Sequence, residues 1–207
     1  MITGIEAPSL AGLLEAIKFV LDRASVPAAK RKQWFEEHVQ PSYEQLRAID
    51  EDYSKQFSSA LDLLRKGTNL QAVVEVLKRD RPNLLLKRQE VRENLLALRN
   101  FRLEKKRKPK FVILFYDYVS AVDEYLNAAS PLPRATWYSY FIDRFSEIVE
   151  QGNNPLDDAY PGCAQGQNAP NLAIEQLEAA VQRYMPEAMQ KVQARYAALR
   201  AECLTQA

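Results

Sequence analysis

Glycine is scarce in this chain of 207 residues: there are six, alongside one histidine and two cysteines. So few glycines argue against a turn-rich β protein and leave little with which to build a glycine-lined phosphate loop. The lone His38, with Cys163 and Cys203 far apart in sequence, supplies no closely spaced zinc ligands and no paired Glu-x-x-His elements for a helical dimetal centre. No metal and no cofactor are therefore expected. A Gly-x-Ser-x-Gly nucleophile elbow is missing as well, which points away from an enzyme.

Long apolar runs are also lacking. The longest, Phe111 to Tyr116, stops at Asp117, far short of the ~20 residues that cross a bilayer. No membrane span is expected. The opening "MITGIEAPSLAGLLEA" has no basic segment followed by an apolar core, the mark of a secretory signal. Two thiols without a disulfide framework fit reduced cysteines in the cytoplasm.

What the chain does have is helical periodicity. Leu10, Leu13, Leu14, Ile17, Val20 and Leu21 recur at spacings of three and four, predicting a first helix from about Ser9 to Arg23. Pro27 opens a short second helix through Glu37. Beyond Gln40 and Pro41, Ser42 with Gln45 reads as a capping box for a long helix ending at Gly67, and Thr68 with Gln71 repeats the device. Further helices are expected over about 82–104, 111–128, 137–151 and 171–203, the last kinked at Pro186. The fold class is all-α: a bundle of six or seven amphipathic helices forming a single domain over 1–207. Residues 152–170 hold three of the six glycines and three of the eleven prolines, so a long Gly/Pro/Asn-rich loop or lobe boundary is placed there.

Charge is unevenly distributed. Lys78 to Lys110 carries thirteen basic and four acidic residues, a net of +9; residues 1–77 carry nine and eleven, and residues 111–207 six and twelve. On an ideal helix Arg81, Arg88, Arg92, Arg99, Arg102 and Lys106 fall within an arc of about 80°. Lys105, Lys106, Arg107, Lys108 and Lys110 then lead into the apolar run. Guanidinium groups on such a stripe hold carboxylates or phosphates by paired hydrogen bonds. The anions are internal, from Asp117, Asp123, Glu124, Asp143 or Glu147, or they belong to a partner; the third reading is a solvated face that holds none. Phe111, Phe115, Tyr118, Val122 and Tyr125 recur at core spacing rather than forming a base-stacking surface.

The function expected from these features is non-catalytic: an interaction or adaptor protein whose anion-binding face comprises Arg88, Arg92, Arg99, Arg102, Lys105, Lys106, Arg107, Lys108 and Lys110. Its partner would be a protein or a nucleic acid. A structural role as a homo-oligomer subunit is a further alternative. So is catalysis without metal. In "RKQWFEEH", Arg31 and His38 stand seven apart, two turns of helix. That spacing resembles the Arg-x(4 to 6)-His motif of the HEPN superfamily over eight residues. These are small all-helical domains, many of them metal-independent RNases that act as dimers. The resemblance implies that Arg31 stabilises phosphate charge while His38 serves as acid or base.

Overall fold

The computed structural model describes residues 11–22, 27–80, 91, 93–94, 96–97, 110–126, 137–152 and 165–204, and all regular structure among them is helical. The all-α class follows. The elements are α1 (Ala11–Asp22), α2 (Ala28–Trp34), a π-helical turn (Phe35–Val39), α3 (Gln40–Arg65), α4 (Leu70–Arg79), α5 (Lys110–Leu126), α6 (Trp137–Gly152), α7 (Gln165–Ala179), a second π turn (Ala180–Tyr184) and α8 (Met185–Leu204). Val91, Glu93, Asn94, Leu96 and Ala97 are helical too.

Two compact units emerge. The first draws on residues up to Asp50, on those between Asn83 and Leu126, and on Glu187 onward; the second takes Glu51–Pro82 and Asn127–Pro186. The division does not fall at 152–170, which lies within the second unit. Both ends of that stretch are helical: α6 runs to Gly152 and α7 already begins at Gln165, with Pro170 inside it, while residues 153–164 lie outside the described residues.

Two other prolines explain the π turns. The Gln40 N–H donates to the Phe35 carbonyl five residues back, and the Met185 N–H donates likewise to Ala180. Pro41 and Pro186 are the very next residues. Proline brings no N–H, and its ring clashes with the carbonyl four positions earlier. A widened turn just ahead of it relieves that clash, so the helix continues through Pro41, where a break is expected, and through Pro186, where a kink is. Ser42 accordingly caps nothing: it is buried, and its hydroxyl donates to the Val39 carbonyl at 2.7 Å.

The end of α3 matches expectation. Gly67 sits at φ +82°, its N–H donating to Leu64 while Thr68 N–H reaches back to Leu63, the paired bonds of a Schellman stop. The next cap is Asn69 rather than Thr68, its side-chain oxygen accepting from Gln71 N–H at 2.8 Å.

Within the first unit, Leu13, Ile17 and Val20 of α1 and Phe111, Phe115 and Val122 of α5 are buried, with Trp34 edge-on to Phe115 at 4.9 Å. Gly12 belongs to this packing: a Cβ there would lie 3.2 Å from the His38 carbonyl. In the second unit α4 packs on α6 and α6 on α7, around Phe57, Val73, Val74, Phe141, Phe145 and Leu177.

Candidate functional site

Lys110 is the one member of the expected anion-binding face within the described residues; Arg88, Arg92, Arg99, Arg102, Lys105, Lys106, Arg107 and Lys108 lie outside them, as does Arg81. Lys110 opens α5 and is three-quarters exposed. Its ammonium lies 2.9 Å from Glu202 Oε2, and the other oxygen of that carboxylate lies 3.6 Å from the Arg31 guanidinium. Glu202, in the last turn of α8, is only 5% exposed. A carboxylate this buried needs cationic partners to offset its desolvation. Here it has two, one from α2 and one from α5. The Arg31 guanidinium also lies 4.8 Å above the centre of the Phe111 ring, so it stands between a buried anion and an aromatic face.

Glu202 was not among the acids expected to meet the basic segment. Among those that were, Glu124 pairs with Lys191, and Glu147 with Arg144 at 3.1 Å. The sequence does carry a signal for Glu202. It stands three residues after Leu199 and next to Cys203, both buried, so helical spacing sets a carboxylate on an apolar seam. Charges at such positions are almost always paired.

Arg31 and His38 are separated by most of the first π turn. Two regular turns would align them, but a π turn shifts the register by up to one residue, which is ~100° of helix rotation. Their neighbours differ accordingly. Arg31 engages Glu202 and Phe111, whereas His38, 28% exposed, has its ring 6.3 Å from that of Phe19 and its Nε2 4.0 Å from Glu37.

The aromatic run after Lys110 is core. Phe111, Phe115, Tyr118, Val122 and Tyr125 are all fully buried. The two hydroxyls are satisfied internally: Tyr118 pairs with Ser42 at 3.2 Å, and Tyr125 donates to Asp50 at 2.7 Å. Burial pushes the Tyr118 hydroxyl well above the ordinary tyrosine range, with the Ser42 hydrogen bond opposing it. Neither ring is open to a ligand. Among the described residues no cluster of three or more His, Cys, Asp or Glu could hold a metal ion, and no helix is long and apolar enough to cross a membrane. Cys203 is a buried free thiol.

Comparison with protein-family models, with curated proteins and with solved structures finds no match for this chain.

Proposed function

We propose that the chain is a non-catalytic helical interaction protein whose basic segment binds an anionic partner, either nucleic-acid phosphate or an acidic protein surface. The observation that carries this is the segregation of charge: a net of +9 between Lys78 and Lys110, in a chain whose total is +1. Charge concentrated in this way, against an acidic remainder, is the electrostatic footprint of an anion binder. One further observation supports it. Glu124 and Glu147, two of the acids that could neutralise the segment internally, already engage Lys191 and Arg144.

The mechanism is capture by Arg88, Arg92, Arg99, Arg102, Lys105, Lys106, Arg107 and Lys108, with Lys110 held at the edge by Glu202. Release of counterions from the partner makes such binding steeply salt-dependent. Absence of a disulfide framework fits action in the cytoplasm.

The deciding experiment titrates the purified protein with labelled single-stranded RNA across a salt series. With about four phosphates neutralised, log K falls against log salt with a slope of about −3. The double reversal Arg92→Glu and Arg99→Glu is expected to abolish binding while leaving the melting curve cooperative. Unchanged affinity and unchanged stability in that variant would sink the proposal. Denaturing gels of the same samples test the RNase alternative, which requires cleavage that is lost in His38→Ala.

A further inference from the structure

One group of aromatic rings in the first unit reaches the surface. Tyr196 lies 5.4 Å from buried Phe35 and 6.0 Å from buried Tyr118, centre to centre, and it stacks on Tyr43 at 3.9 Å with planes only 9° apart. Tyr43 and Tyr196 are half-buried. Together with Ala197, Arg200, Ala201 and Leu204 they wall an open cleft of about 450 Å³. Its lining is mostly ring and methyl carbon, and Arg200 is the one charged group on it.

Arg200 is exposed and has no ion-pair partner among the described residues. Its charge is close enough to Tyr196 to oppose the rise that partial burial imposes on the Tyr196 hydroxyl. Glu44, whose carboxylate accepts from the Gln40 amide, acts on the same hydroxyl in the opposite sense. Lys110, the last cation of the basic segment, is bonded to Glu202, two residues along α8 from Arg200.

A flat ring pair beside a guanidinium with no ion-pair partner among the described residues offers two contacts at once, a face for a planar ring and a planar donor for a phosphate. The volume suits one small ligand moiety better than a helix, which needs a longer groove with separate pockets for its anchors. We propose that the Tyr43–Tyr196–Arg200 cleft is a base-stacking subsite for single-stranded nucleic acid, one base resting against the tyrosines while Arg200 takes an adjacent phosphate. This rests on the reading of the basic segment as a phosphate binder and adds to it a contact that requires the base.

The test compares two labelled oligomers on the order of ten nucleotides long, oligouridine and an abasic strand of equal length and charge, by fluorescence anisotropy with the full chain. Ala201→Leu crowds the cleft from an exposed helical position without adding a ring that could stack on a base, and Tyr43→Ala removes the outer ring; thermal melting checks that each variant folds. Oligouridine should bind about tenfold tighter than the abasic strand, and each variant should shrink that ratio towards one. Equal binding of both strands, unaltered by either variant, would overturn the subsite and leave the phosphate-binding face standing. Absence of binding to either strand at low salt would overturn both. If polyglutamate binds and Ala201→Leu weakens it while oligouridine is ignored, the cleft belongs to an acidic protein and the nucleic-acid assignment is wrong.

Discussion

Lys110 and Glu202 are bonded at 2.9 Å, which ties the first turn of the helix after the basic segment to the last turn of α8. The two ends of that bond are unlike: the ammonium is largely in water, whereas the carboxylate is almost wholly enclosed and also faces Arg31. Removing the buried end is therefore far costlier than removing the exposed one. Glu202→Gln should lose about 3 kcal/mol of stability, because it removes the buried charge that Arg31 and Lys110 both face, while Lys110→Ala should cost about 1 kcal/mol or less. Urea unfolding of both variants checks the asymmetry. Equal losses would mean that Glu202 does not carry the junction.

Gly67 is a purely conformational case. Nothing lies within 4 Å of where its Cβ would be, yet its φ of +82° is one that L side chains rarely adopt. Gly67→Ala should therefore cost about 1 kcal/mol with no change in packing. Gly67→Asn should cost less, because asparagine tolerates this region. A loss of several kcal/mol in Gly67→Ala would point instead to a contact at this turn.

Stops and seams were legible in the sequence; continuity through proline was not. The Gly67 stop and the core spacing of Phe111, Phe115 and Tyr118 follow from local chemistry and helical period, and the structure has both. Thr68 and Asn69 are both good caps, and only the backbone decides that Asn69 takes the position. Pro41 reads as a break because its ring clashes within a regular helix, but a π turn removes the clash, and no residue pattern announces one. The same turn changes what Arg31 and His38 face, so spacing counted along the chain misleads there. Glu202 pairs with residues far away in sequence, a juxtaposition that periodicity cannot supply.

Gly12 weighs two terms against each other. Alanine in place of helical glycine gains about 1 kcal/mol in propensity, but its Cβ would stand 3.2 Å from the His38 carbonyl. Gly12→Ala should come out near neutral. Gly12→Val, with two more carbons against the same backbone, should lose about 1–3 kcal/mol. Thermal melts of the pair distinguish close packing at this crossing from simple tolerance, in which case both would be as stable as the parent.

Cys203 predicts a dependence on pH. Burial pushes its thiol up to about 12, with Arg31 opposing, so in the folded protein it stays protonated well past the ordinary value of 9. The unfolded chain releases that proton earlier, so unfolding is favoured as pH rises. The stabilisation is complete below about pH 9 and is lost progressively towards pH 12. In a Cys163→Ser background, a thiol-reactive dye at pH 8 should label Cys203 only after denaturant is added. Rapid labelling of the native protein would show that the thiol is accessible.

Ser42 and Tyr118 form a closed polar contact in the first unit's core, and a mutant cycle should separate its parts. The Ser42 hydroxyl donates to Val39 at 2.7 Å and lies 3.2 Å from the Tyr118 hydroxyl; both residues are buried. Ser42→Ala strands the phenol without a partner and should cost about 1–3 kcal/mol, since a buried unpaired hydroxyl has lost its water and gained nothing. Tyr118→Phe leaves Ser42 its bond to the carbonyl and should cost about 1 kcal/mol. Combined, the two changes remove both ends of the contact, so the double variant should be more stable than the sum of the single losses implies. Denaturant midpoints of the four proteins give the coupling directly. Strict additivity would show that the two hydroxyls, close as they are, do not depend on each other.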